Sequence, residues 1–186
     1  VSQLTLKGIH NALNVLAVLA MSEALGLDRA SAVTAAAGFA GLPHRFQLVA
    51  EDRGISWFND SKGTNVGAPL AALAGIGPAI AGKIVLIAGG QGKGQDFELL
   101  GESAQRYARA AVLIGEDAKR LAKAIEPVEC HFAQDMADAV RRASLLAEPG
   151  DAVLLSPACA SMDMFRNYSD RGDTFVECVK EVARGA

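Results

Sequence analysis

Lys83-Ile84-Val85-Leu86-Ile87-Ala88-Gly89-Gly90-Gln91-Gly92-Lys93-Gly94-Gln95-Asp96 reads as a short apolar strand that runs directly into a glycine-rich loop. Downstream the pattern repeats. Strands are predicted over 111–114, 129–133 and 152–155, and helices over about 66–74, 97–109, 118–124, 136–146 and 174–183. Short apolar strands alternating with helices imply an α/β domain, a mostly parallel sheet with helices on both faces. Upstream, 46–51 and 55–59 form a hairpin around Asp52-Arg53-Gly54, which adds an antiparallel edge.

Further upstream the period changes to that of helices. Leu13, Leu16, Ala17, Ala20 and Ala24 follow i, i+3, i+4, i+7 spacing over 10–25, and Gly26 stops that helix. Asp28 is placed to cap a second, alanine-rich helix ending near Gly38. Gly38-Phe39-Ala40-Gly41-Leu42-Pro43 then marks a domain junction and a candidate hinge. The chain enters its first helix almost at once and starts at Val1 without a methionine, so an excerpt of a longer protein is expected.

Composition narrows the function classes. Over 186 residues, 51% are hydrophobic and 21% charged, enough for a packed core; aromatics are only 5%. The net charge of −3 comes with no Lys/Arg cluster, so neither nucleic acid nor an anionic membrane is an expected partner. The longest apolar run of the first helix, from Val15 to Met21, is too short to cross a bilayer. Cys130, Cys159 and Cys178 are odd in number and contain no CxxC, which offers neither a disulfide framework nor a zinc knuckle and fits a reducing cytoplasm. His10, His44 and His131 have no paired spacing, so no metal site is expected.

Ligands of such sheets bind at the carboxyl ends of the strands. Three loops there stand out: Asp60-Ser61-Lys62-Gly63-Thr64-Asn65, Gly89 to Asp96, and Ser156-Pro157-Ala158-Cys159-Ala160-Ser161. They offer two lysines, the hydroxyls of Thr64 and Ser161, and glycines that open backbone N–H groups to a ligand, a set suited to a carboxylate or phosphate. Taken singly, Asp60, Thr64 and Ser161 equally suit helix caps, and Lys93 a solvated surface. Three such loops on one edge favour a site.

Two motifs are decoys. Gly77 to Lys83 fits GxxxxGK, but Ile84 replaces the hydroxyl that must hold magnesium, and the glycines precede a strand. Gly89 to Gly94 fails GxGxxG at Gln95, so a dinucleotide fingerprint is absent and a small oxidoreductase is disfavoured. Cys159 is expected to be a small, half-buried residue and not a nucleophile. Asn11 and Asn14, i and i+3 on one helix, present two amides that suit an adenine edge.

Lys7-Gly8-Ile9-His10-Asn11-Ala12-Leu13-Asn14, Leu42-Pro43-His44-Arg45, Asn59-Asp60-Ser61-Lys62-Gly63-Thr64-Asn65, Gly89-Gly90-Gln91-Gly92-Lys93-Gly94 and Leu155-Ser156-Pro157-Ala158-Cys159-Ala160-Ser161 occur in that order. Asp163, Phe165, Asn167-Tyr168 and Arg171-Gly172 follow. Over essentially its whole length the chain resembles the Mur ligase family, in its D-glutamate-adding type. The resemblance implies that 1–41 are the last helices of a central ATPase domain and that 42–186 form the Rossmann-like C-terminal domain. It implies a ligase of peptidoglycan synthesis that joins D-glutamate to UDP-N-acetylmuramoyl-L-alanine. ATP would activate the acceptor as an acyl phosphate, with Mg2+ held by residues outside this chain. The P-loop and UDP-sugar domain would also lie outside it, leaving the chain inactive alone.

By the same resemblance, Asn11, Asn14, Arg45 and Asp60 would meet ATP, at its adenine, phosphates and ribose. Lys62, Thr64, Lys93, Ser161 and Tyr168 would form the D-glutamate pocket, with Lys62 and Lys93 as the catalytic candidates. His10 and Asn65 match motif positions without an assigned contact. Gly63 stands where the family often has alanine, Tyr168 where phenylalanine also occurs, and Gln91 in a variable slot. The alternative is a free-standing, non-enzymatic module that binds an amino acid or a nucleotide.

Overall fold

The computed structural model describes residues 9–185, with side chains from residue 11. Lys7 and Gly8 of the first motif lie outside the described residues, as does the His10 side chain. The chain divides into two compact units, one up to Leu42 and one from Pro43 onward. In the first, α1 (Ile9–Ala24) and α2 (Arg29–Gly38) are joined by a turn at Gly26. The Asp28 carboxylate accepts the Ser31 N–H at 2.8 Å, the expected cap of α2. The apolar stripe of α1 is helical as expected, yet Leu13, Leu16, Ala17, Ala20 and Ala24 are all exposed.

The second unit is built on a six-stranded sheet in the order β1-β2-β6-β3-β4-β5. β1 (Gln47–Asp52) and β2 (Ile55–Asn59) form the antiparallel hairpin. The other pairings, made by β3 (Ile84–Gly89), β4 (Ala108–Ile114), β5 (Glu129–Phe132) and β6 (Ala152–Leu155), are parallel. Alternation sorts side chains to the two faces. Ile84, Leu86, Ala88 and Leu154 pack under α3 (Gly67–Ile76), α4 (Gly101–Tyr107) and α5 (Ala118–Ala124), around Leu73, Ala104 and Leu121. Val85, Ile87, Val153 and Leu155 pack under α6 (Met136–Leu146) and α7 (Tyr168–Arg184), around Val140 and Phe175. Each fully buried Leu or Ile of this core contributes on the order of 1.5–3 kcal/mol over its exposed state.

The topology opens a crevice. β6 is the last strand in sequence but lies between β2 and β3. The chain leaves β2 and β3 for helices on one face, and leaves β6 for α7 on the other. Connections that part to opposite faces create a switch point at the carboxyl ends of these three strands.

Two expected elements differ. The helix expected over 97–109 is instead a 3-10 turn, Glu98–Leu100, then α4, and β4 already begins at Ala108. α7 starts six residues before the expected Thr174, at Tyr168. The glycines of the decoy P-loop turn out to be packing residues near the opposite edge. A Cβ on Gly77 would lie 2.3 Å from the Tyr107 ring, and one on Gly82 would lie 2.2 Å from Asp151 Oδ1. Asp151 accepts the Lys83 and Glu148 N–H groups and pairs with Arg109 Nε at 2.5 Å, which closes that edge.

Candidate functional site

All three loops singled out in the sequence lie at the carboxyl ends of the adjacent strands β2, β6 and β3. Backbone bonds fasten them to one another. Asp60 N–H donates to Leu155 O at 2.7 Å, Gly89 N–H to Pro157 O at 2.9 Å, and Gln91 and Ala160 exchange a bonded pair. Gly89 and Gly90 adopt φ of 123° and 121°. A Cβ there would lie 1.9 Å from Ile114 O and 2.2 Å from Ala160 O respectively, so only glycine allows the loops this close.

Arg171, which is 1% exposed, is the main tie between the first and third loops. Its Nε donates to Ser61 Oγ at 3.0 Å and its Nη2 to Ser61 O at 2.8 Å. Its Nη1 donates to Cys159 O at 3.1 Å. Burial pushes its guanidinium down to about 10. Asn59 ties the first loop to α7: its Nδ2 donates to Gly172 O, and its Oδ1 accepts the Ser61 N–H. Arg171 stands in the last of the sequence motifs without a role assigned to it. An arginine in the first turns of a helix carries no signal of the carbonyls it will meet.

Around this frame stand the expected ligand groups. Lys62 Nζ lies 4.2 Å from the centroid of the Tyr168 ring, a cation–π contact that gives the lysine a fixed seat without an anion. Lys93 is exposed at φ 52°, on the loop after β3. Among the described residues, neither lysine forms an ion pair. Thr64 and Ser161 do not cap helices. α3 has Val66 at its N-cap with no side-chain bond, and α7 is capped by Asn167. Asp60 is no cap either. Its Oδ2 accepts from Ser156 Oγ at 2.7 Å and its Oδ1 from the Phe46 N–H at 3.2 Å. Burial pushes its carboxyl up to about 6, against the pull of those two bonds and of Arg45 and Arg171.

Arg45 is exposed beside this carboxyl, while Asn11 and Asn14 lie one turn apart on α1, in the other unit. Cys159 departs from the half-buried expectation: it is fully buried, and burial pushes its thiol up to about 12, which leaves it unreactive. Among the described residues no group of three or more His, Cys, Asp or Glu is arranged to hold a metal ion, and no helix is long and apolar enough to cross a membrane. The arrangement can hold and neutralise an anion. It contains no activated nucleophile.

A mostly parallel sheet with helices on both faces and a switch-point crevice defines a doubly wound α/β domain. Residues 44–159 match the family described as "Mur ligase, glutamate ligase domain", and the chain belongs to the Mur ligase family. Among curated relatives, the UDP-N-acetylmuramoylalanine–D-glutamate ligase of Alcanivorax borkumensis is 57% identical over 97% of this chain and 41% of its own length. That of Bordetella pertussis is 52% identical over 98% of this chain and 36% of its own. The chain thus spans about two-fifths of the length of these relatives. Among solved structures, the UDP-N-acetylmuramate–alanine ligase of Thermotoga maritima shares the fold at 22% identity, with a TM-score of 0.72 over 96% of this chain and 40% of that one. Folylpolyglutamate synthase of Mycobacterium tuberculosis, complexed with ADP and AMPPCP, does so at 18% identity, with a TM-score of 0.69 over 92% of this chain and 41% of that one.

Proposed function

We propose that this chain is the C-terminal part of the ligase that joins D-glutamate to UDP-N-acetylmuramoyl-L-alanine at the expense of ATP. The observation that carries the reading is the set of unpaired cations and hydroxyls on three fastened loops: Lys62, Thr64, Lys93 and Ser161. D-Glutamate brings two carboxylates, and two lysines with two hydroxyls match that demand in charge and donors. Tyr168 supplies an apolar wall against the methylenes while it seats Lys62. In the proposed reaction the acceptor carboxylate takes the γ-phosphoryl of ATP, giving an acyl phosphate and ADP. The D-glutamate amine then attacks the acyl carbon, the C–N bond forms, phosphate leaves with the electrons of the broken C–O bond, and the proton shed by nitrogen ends on phosphate or water. The part of this chain is to place the amine and to neutralise the incoming charges.

Asp60 and Arg45 are proposed for the ribose hydroxyls and phosphates of the nucleotide, and Asn11 and Asn14 for its adenine. The first unit would then belong to the central ATPase domain, whose remaining part would cover the exposed stripe of α1. The ligands of magnesium are proposed to lie in the rest of the ligase. The three free cysteines fit a reducing compartment.

The test is Lys93→Ala in the intact ligase carrying this chain. The KM for D-glutamate should rise at least about tenfold, the cost of losing one charge-assisted bond. Turnover at the wild-type rate with unchanged KM would remove Lys93 from the site and the main support for the reading.

A further inference from the structure

We infer that Gln95 is a positioning residue whose side-chain amide sets the spacing of Thr64, Lys93 and Ser161. The inference rests on the ligase reading above. Gln95 lies two residues after Lys93 in its loop, and its side chain bonds that loop, the third loop and Val66, the residue just after the first loop. Nε2 donates to Gly92 O at 3.0 Å and to Ala158 O at 3.2 Å. Oε1 accepts the Val66 N–H at 3.0 Å. These backbone groups stand one residue from Lys93, three from Ser161 and two from Thr64.

The chemistry explains why an amide belongs here. Two donors and an acceptor are needed in one plane, and a primary amide supplies them. A carboxylate of the same size would face two carbonyls with a like partial charge. A methyl group would leave two carbonyls and one N–H without that partner, in a part-buried setting. The acceptor also takes up an N–H at the start of α3, where Val66 itself supplies no side-chain cap.

The amide is itself held in place. Gln95 N–H donates to Gly92 O at 3.0 Å, and Gln95 O accepts from Arg120 Nη2 at 3.1 Å. Arg120 is fixed by Asp117 Oδ1 at 2.8 Å and lies over the Phe97 ring, 5.2 Å from its centroid. Asp117 Oδ2 accepts the Gly92 N–H at 2.7 Å, so the lysine loop is braced from both sides. Because the side-chain donors and the acceptor are already engaged within the protein, Gln95 acts through the loops it spaces. Small displacements of substrate-holding groups are costly to rate, on the order of 10²-fold per ångström.

The experiment compares wild type, Gln95→Ala and Gln95→Glu in the intact ligase, with steady-state kinetics and hydrogen exchange at the Val66 amide. Both variants should raise the KM for D-glutamate about tenfold while the KM for ATP stays within about twofold. Val66 exchange should accelerate in Gln95→Ala, and the equal size of glutamate should give no rescue. An unchanged KM for D-glutamate, an equal rise in both KM values, or unaltered Val66 exchange would each overturn the assignment while leaving the ligase reading intact. A wild-type enzyme that does not turn over D-glutamate would overturn the ligase reading, and this inference with it.

Discussion

Asp60 shows how one carboxyl is pulled in two directions. Its bonds to Ser156 and Phe46 favour the anion, but burial outweighs them and raises the folded value from 3.8 to about 6. The sign of the effect on stability follows by linkage. Below the unfolded value both states hold the proton. Between 3.8 and about 6 the unfolded chain has released it and the folded chain has not, so stability falls as pH rises through that window. Above it the loss stays constant, at up to about 3 kcal/mol. Asp60→Asn should flatten this slope, which urea midpoints measured from pH 4 to pH 7 would reveal. An unchanged slope would place the titration elsewhere.

α7 is where local sequence says least and tertiary bonds say most. Its first turns, Tyr168-Ser169-Asp170-Arg171-Gly172, carry a glycine and no apolar stripe, so periodicity starts the helix too late. The structure extends it because Asn167 caps it and Arg171 ties it to Ser61 and Cys159. Arg171→Lys keeps the charge but not the fork that reaches both loops. It should lower stability by about 2–3 kcal/mol, read as a drop in calorimetric Tm; a variant as stable as wild type would make the tie dispensable.

The opposite case is the central strands β3 and β6, which were legible because both faces are buried and the apolar runs are unbroken. β4 departs from this. Its opening Ala108-Arg109-Ala110 has no β-branched residue and continues the periodicity of α4, so it reads as helix. The gathering of the three candidate loops at one sheet edge was legible too, since loops that follow parallel strands emerge at their carboxyl ends. The bracing by Arg171, Gln95 and Asp117 was not, because it joins residues as far apart as 110 positions.

Both buried clusters of the core draw every member from between Phe46 and Val179. The unit from Pro43 onward therefore has its own complete interior, at a length ample for independent folding. Residues 43–186 expressed alone should unfold in one cooperative transition, with urea midpoints by circular dichroism and by Trp57 fluorescence that coincide. Separate midpoints, or a gradual loss of signal, would mean that the first unit is needed to complete the fold.

The place of β6 in the sheet has a consequence for synthesis on the ribosome. Its neighbours β2 and β3 emerge early, yet the strand that joins them is the last of the six to be made. Until it arrives, the nascent chain carries a half-built sheet with two bare apolar edges facing a gap, the kind of surface that pairs with other chains. The half-built sheet is open to mispairing until β6 is made, and a pause before residue 152 would prolong that state.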